Sequence, residues 1–250
     1  MKGGIYIEDI KLLKGNCLDL MKNLKDKSID LIFSDLPYGT TNCKWDSLID
    51  LNMLWMQYNR IVKDNGAIVL FAQTPFDKVL GVSNLKMLKY EWIWEKTTAT
   101  GHLNAKKMPM KAHENLLVFY KKPPTYNPQK TTGHTPTHAY TKYLETQNKG
   151  EIYNKATKEV VGGGDTERYP RSVLLFPSDK QREHLHPTQK PLALCEYIIK
   201  TYTNENDLVL DSCMGSGTIG VSAKRLHRKF IGIELENKYF DISVKRINTA

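Results

Sequence analysis

The sequence predicts an α/β fold, a doubly wound and mostly parallel sheet with helices on both faces. Three observations carry that expectation. Short β-branched runs alternate with segments whose apolar residues recur at helical spacing. A strand, a glycine-rich turn and a helix follow one another over "LVLDSCMGSGTIG" (208–220). A second apolar run just downstream then ends in a carboxylate, Glu234.

Strands are expected at 10–15, 29–35, 67–73, 91–96, 115–121, 207–212 and 230–236, where Val, Ile, Leu and aromatic residues cluster. Helices are expected at 18–24, 48–62, 75–88, 192–203 and 218–227. In the second of these, Met53, Trp55 and Met56 share an apolar face and read as core. The runs at 91–96 and 115–121 have no long helix between them, which favours an antiparallel pair. From 123 to 183 the pattern breaks: Thr, Pro, Gly, Lys and Tyr dominate, with "GGG" at 162–164. Such a span is too long for a plain connection. Its aromatic residues (Tyr126, Tyr140, Tyr143, Tyr153, Tyr169 and Phe176) favour an inserted recognition region over a disordered linker. The expected organisation is therefore a main domain over 1–122 and 184–250, with an insert over 123–183.

A chain of 250 residues, 40% of them hydrophobic, can bury a substantial core. Its formal charge of +9 favours a polyanionic partner, nucleic acid first. No apolar run reaches the roughly 18 residues of a spanning helix, and no signal peptide opens the chain, so a cytoplasmic protein without a membrane partner is expected. Cys17, Cys43, Cys195 and Cys213 form no CxxC pair and read as free thiols. His184 and His186 have H-x-H spacing, but no further ligands cluster beside them, and no metal is expected.

The glycine turn points to a nucleoside-containing cofactor. Gly215, Gly217 and Gly220 match G-x-G-x-x-G, with the first two open to close approach by a ligand and the third open to helix packing. Asp211 ends the strand before the turn, and Glu234 stands where a carboxylate could accept from ribose hydroxyls. On these residues alone NAD and S-adenosylmethionine both fit.

A second carboxylate ends the strand at 29–35 and opens "DLPY" (35–38). Ligands of a doubly wound sheet sit beyond the carboxyl ends of its strands, so Asp35 and Asp211 can share a crevice. Pro37 fixes the turn and the direction of the Leu36 carbonyl, Asp35 adds another acceptor, and Tyr38 adds a flat face. Two acceptors beside an aromatic surface suit a planar ring bearing an amino group.

"DLPY" resembles the D-P-P-Y motif of the amino-methyltransferases that modify adenine N6 or cytosine N4 in DNA. "DSCMGSGT" (211–218) is similar to that family's cofactor loop, and "HPTQKP" (186–191) to a third signature. The motif order resembles the β group, whose sheet is a circular reordering of the S-adenosylmethionine-dependent methyltransferase type. The resemblance implies that Asp35 and the Leu36 carbonyl accept from the target amine while Tyr38 stacks on a base flipped out of duplex DNA. It also implies that Asp211, Cys213, Gly215, Gly217 and Thr218 shape an S-adenosylmethionine pocket, with Glu234 on the ribose. Thr188 and Lys190 would clamp the methionine carboxylate. "GNC" (15–17) resembles a G-D-C element on the cofactor adenine, which brings in Asn16 and Cys17; Asn16 replaces the acid but keeps an acceptor. Ser212 and Cys213 stand where Pro-Phe is usual, which implies a smaller apolar wall.

In this family Asp at the first motif position goes with adenine and Ser with cytosine, so Asp35 favours adenine N6. Cytosine N4 is the alternative within the same chemistry, and an inactive nucleic-acid-binding module the alternative outside it. An NAD oxidoreductase leaves "DLPY", "HPTQKP" and the positive charge unexplained. "GTTNCKWD" (39–46) is a candidate flap, with Trp45 packing, and Lys106, Lys107 and Lys111 lie in a loop suited to phosphate contact. The sequence leaves open a homodimer and a restriction endonuclease partner.

Overall fold

The computed structural model describes residues 4–39, 48–138, 140–142, 160–178 and 189–250. In chain order the elements are β1 (Gly4–Ile7), β2 (Ile10–Lys14), α1 (Cys17–Met21), β3 (Ile29–Asp35), α2 (Leu51–Ile61), β4 (Val62–Ala72), α3 (Phe76–Ser83), β5 (Leu88–Thr100), β6 (Lys111–Phe119), β7 (Tyr140–Lys142), β8 (Val160–Gly162), β9 (Val173–Phe176), α4 (Leu192–Tyr202), β10 (Leu208–Asp211), α5 (Thr218–Arg225), β11 (Lys229–Glu234) and α6 (Asn237–Asn248). The chain divides into two compact units, Met1–Asn127 with Ser172–Ala250, and Pro128–Arg171.

In the first unit the described strands form one sheet in the order β1-β2-β11-β10-β3-β4-β6-β5-β9. Strands β2, β11, β10, β3 and β4 run parallel, whereas β6 is antiparallel to both β4 and β5. The expected antiparallel pair is thus present. Chain order reverses direction between β10, which leads on to β11, and β3, which leads on to β4. That reversal is the switch point at which doubly wound sheets leave a crevice beyond their carboxyl ends.

Period-two alternation builds a core on each face. Leu31 and Phe33 of β3 and Val69 and Phe71 of β4 pack under α4, α5 and α6, with Ile198, Ile219 and Ile247 in the same cluster. Ile32, Ile68 and Leu70 point the other way, onto Met21, Leu54, Tyr58 and Leu80 of α1, α2 and α3. Helix α2 starts at Asp50, whose Oδ1 accepts from Asn52 N at 2.8 Å and Met53 N at 3.1 Å, a cap of about 1 kcal/mol. No helix among the described residues is long and apolar enough to cross a membrane.

The second unit contains the antiparallel pair β7–β8 and an isolated bridge between Thr131 and Arg168. Lys130 pairs with Glu167 at 2.8 Å and lies over the Tyr169 ring.

Several expectations change. Met53 and Met56 are exposed, and only Trp55 of that trio is buried, because the sheet-facing stripe of α2 runs through Leu54, Tyr58 and Ile61 instead. Strand β9 lies inside the stretch read as aperiodic. Its four residues carry too little pattern by themselves and find their place by pairing with β5. Helix α6 escaped the reading because its buried positions, Phe240, Ser243 and Ile247, include a serine and sit among charges.

Candidate active site

Strands β3 and β10 are hydrogen-bonded neighbours, with Leu31 opposite Val209 and Ile32 opposite Leu210. Asp35 and Asp211 therefore reach the same rim. A cavity of about 390 Å³ opens there, lined by Asp35, Leu36, Pro37 and Tyr38 on one side and Asp211, Cys213, Gly215 and Glu234 on the other. Asn16, Cys17, Thr218, Gln189 and Lys190 also line it.

A buried polar staple holds the rim. Ser34 Oγ donates to Asp211 Oδ1 at 2.7 Å and accepts from Ser212 N at 2.7 Å, while Tyr58 OH and Ser212 Oγ meet at 2.6 Å. Asp211 Oδ1 also accepts from Cys213 N at 3.0 Å. Burial pushes the Asp211 carboxyl up to about 7 against these donors, with Asp35 and Glu234 adding to the rise.

The glycine turn is clipped from behind. Glu234 Oε2 accepts from Gly215 N and Oε1 from Glu236 N, both at 2.8 Å. Burial raises the Glu234 carboxyl above its ordinary range despite these backbone donors. Gly217 adopts φ +81°, and a Cβ there would stand 2.9 Å from Ser243 Cβ. A Cβ on Gly220 would stand 2.7 Å from Phe230 and 2.5 Å from Ile247, so the third glycine does serve close packing of α5 on β11 and α6.

Asp35 is held at both oxygens. Tyr38 OH donates to Oδ1 at 2.6 Å and Lys190 Nζ stands 2.8 Å from Oδ2. Loss of water raises its carboxyl, Lys190 opposes the rise, and Glu114 adds to it. The Tyr38 ring stacks on Phe76 with centroids 5.2 Å apart. Lys190 also lies 3.1 Å from Glu114 Oε2, and Glu114 Oε1 accepts from Lys96 Nζ at 2.6 Å. Burial pushes Glu114 up, but the two ammonium groups outweigh it and hold the carboxyl down at about 2.

Residues 29–245 match the family model described as DNA methylase, of the N6/N4 type. That span is most of the chain. The chain belongs to this DNA methylase family. The Type II methyltransferase M2.LlaDCHI of Lactococcus lactis subsp. cremoris is 31% identical, with 96% of this chain and 90% of that protein covered. The Type II methyltransferase M.HpaI of Haemophilus parainfluenzae is 28% identical over 96% and 75% of the two chains. A solved M1.HpyAVI–SAM complex is 28% identical, covers 96% of this chain and 99% of its own, and superposes with a TM-score of 0.65. The PvuII cytosine-N4-specific DNA methyltransferase, at 17% identity and TM-score 0.66 over 95% and 86%, shares the fold.

In the methylase the residues of "DLPY" and of the glycine turn meet in one cavity, although they stand at opposite ends of the chain. Some expected contacts differ. Lys190, read as a clamp on a methionine carboxylate, spends its ammonium on Asp35 and Glu114, because two buried carboxylates need a counter-ion there. Asn16 Oδ1 caps α1, accepting from Leu18 N at 2.8 Å, before any ligand is considered. Ser212 lines the cavity, as expected of a wall residue, and is also part of the buried staple. Thr218 Oγ1 accepts from Arg246. Cys17 and Cys213 touch, and that contact together with burial pushes the Cys213 thiol up. Leu36 buries its side chain in the core beneath α1–α3. Thr188, His184, His186 and the span 40–47, which holds most of the expected flap, lie outside the described residues.

Sequence reading missed Ser34, Lys96, Glu114, Gln189 and Arg246. Glu114 had a usable signal, a carboxylate at the head of the apolar run "NLLVF". The partners of Ser34 and Arg246 are fixed only by strand pairing and helix packing. Gln189 is buried, and its Oε1 has no hydrogen-bond partner among the described residues.

Proposed function

We propose that the methylase transfers a methyl group from S-adenosylmethionine to the N6 amine of adenine within a specific sequence of duplex DNA. The observation behind this reading is the single cavity that Asp35 and Tyr38 share with Asp211, Gly215 and Glu234. An amine-binding end and a nucleoside-binding end in one crevice suit a reaction between the two.

The residues present fit the cofactor. Glu234 keeps free lone pairs for ribose hydroxyls, and Asn16 and Cys17 border the place expected for the adenine. Asp211, Cys213, Gly215, Gly217 and Thr218 shape the remainder, with Thr188 assigned to the methionine carboxylate by family resemblance. When bound, S-adenosylmethionine supplies a methyl group carried on a sulfonium, a good leaving group.

The chain's own task is to make an aromatic amine reactive. Such a nitrogen is a poor nucleophile because its lone pair is delocalised into the ring. Asp35 and the Leu36 carbonyl, accepting its hydrogens out of the ring plane, favour a pyramidal nitrogen. They also stabilise the positive charge that develops there, each such group contributing about 3 to 4 kcal/mol in a dry site. Pro37 fixes the carbonyl direction and Tyr38 offers its ring to the extruded base. Lys106, Lys107 and Lys111, exposed beyond the β5 end of the cavity, suit phosphate contact, and the 123–183 region suits target recognition. The Type II relatives make a restriction endonuclease partner a natural context.

Asp at the first motif position supports adenine, and cytosine N4 is the alternative. Purified protein with methyl-labelled S-adenosylmethionine and mixed-sequence DNA, followed by digestion and mass analysis of nucleosides, tests both. The expected product is N6-methyladenine. N4-methylcytosine replaces the first reading by the second, and absence of any methylated nucleoside overturns both.

A further inference from the structure

We infer that Glu114 and Lys96 are positioning residues that set the basicity of Asp35 by governing how much of the Lys190 charge it receives. The inference rests on the reading of Asp35 as the acceptor for the target amine.

The arrangement follows from strand register. Asp35 of β3 pairs with Phe71 of β4, Phe71 with Leu116 of β6, and Glu114, two residues from Leu116, with Trp94 of β5. Two-residue alternation then puts Asp35, Glu114 and Lys96 on one face, near the rim of the cavity. Lys190 comes in from the segment before α4 and crosses this row, its Nζ 5.0 Å from the Phe71 centroid. The result is an alternating chain: Asp35, Lys190 at 2.8 Å, Glu114 at 3.1 Å, and Lys96 at 2.6 Å. Lys190, Glu114 and Lys96 are almost wholly buried, whereas Asp35 keeps a side open to the cavity.

A buried lysine beside one carboxylate would neutralise it and leave it a weak acceptor. Here the ammonium is divided between two. Glu114 draws Lys190 away from Asp35, and Lys96 limits how strongly Glu114 can draw. Among the described residues, the Tyr38 hydroxyl also faces Asp35 and donates to it, and Asp211 at the end of the next strand repels it.

Opposite signs follow for two substitutions. In Glu114→Gln, Lys190 belongs to Asp35 alone and a negative charge is lost, so the Asp35 carboxyl should fall by about one pH unit. In Lys96→Met, Glu114 draws harder on Lys190 and a positive charge is lost, so Asp35 should rise by a similar amount. The readout is the Asp35 carboxyl titration, followed by carbon-13 NMR of the free protein, with the acid limb of kcat against pH measured beside it. Both should move down in the first variant and up in the second. Retained binding of labelled S-adenosylmethionine in equilibrium dialysis reports that each variant is folded, and Glu114→Met covers the case in which the glutamine variant does not fold, since it removes the same negative charge and should lower the Asp35 titration likewise. Shifts of the same sign, or no shift in folded variants, overturn the inference. Asp35→Asn separates the two levels. If it turns over like the parent, the acceptor reading fails; if it is inactive while the other variants leave the limb in place, only the role of Glu114 and Lys96 fails.

Discussion

Ser34 Oγ donates to Asp211 Oδ1 at 2.7 Å, joining residues 177 positions apart in the chain. The same hydroxyl accepts from Ser212 N, so one serine ties the strand that leads into "DLPY" to the strand that leads into the glycine turn. Ser34→Ala leaves a buried carboxylate and a buried amide short of a partner. A loss of about 1–3 kcal/mol in unfolding free energy is expected. Weaker retention of S-adenosylmethionine in equilibrium dialysis should accompany it. Unchanged urea unfolding would show that the staple is dispensable.

The Asp211 carboxyl, raised from 3.8 to about 7, makes stability depend on pH. Across that window the folded chain holds one more proton than the unfolded chain. The contribution is therefore full below pH 3.8 and is lost as pH rises to 7, by roughly 4 kcal/mol, beyond which it is flat. Asp211→Asn should remove that descending limb from unfolding measured against pH. A cationic ligand nearby favours the ionised carboxylate, so S-adenosylmethionine binding slightly below pH 7 should release a proton. Calorimetry in two buffers of different ionisation enthalpy reads that release, and the asparagine variant should lack it.

Much of this site was legible in the sequence because its anchors sit at strand ends and turns, where local chemistry is strongest. Asp35, Pro37, Tyr38, Gly217 and Glu234 each stand out against their surroundings in "DLPY", "GSG" and "GIELE". The fold followed from alternation that strands β3, β4, β10 and β11 express clearly. What could not be read was who meets whom. Lys190 meets Glu114 only because β6 is inserted between β4 and β5, and the apolar spacing that announced a helix at 18–24 did not show that Asn16 would cap it. Met53 and Met56 misled because an apolar residue on a helix declares hydrophobicity but not direction.

Arg246 supports the glycine turn from outside the cavity. Its guanidinium donates to Ser216 O at 2.7 Å, Ser216 Oγ at 3.1 Å and Thr218 Oγ1 at 3.2 Å. Removing it should loosen the turn without touching the amine-binding end. Arg246→Met should raise KM for S-adenosylmethionine about tenfold and leave kcat at saturation within a factor of two or so, as loss of ground-state and transition-state binding together requires. A fall in kcat with KM unchanged would instead tie α6 to the chemical step.

Tyr38 offers the sharpest division between two parts of one side chain. Its hydroxyl occupies Asp35 Oδ1, where the target amine is proposed to bind, and its ring rests on Phe76. The hydroxyl therefore competes with the substrate, whereas the ring supplies the stacking face. Tyr38→Phe keeps the ring and releases the oxygen, so turnover should stay within a few-fold of the parent. Tyr38→Ala loses stacking of about 1–3 kcal/mol, which is roughly a tenfold to hundredfold loss in kcat/KM for DNA. Steady-state kinetics on one duplex compares the two variants directly. Equal losses in both would place the function of Tyr38 in its hydroxyl and remove the stacking role, because the phenylalanine ring presents the same face to the base.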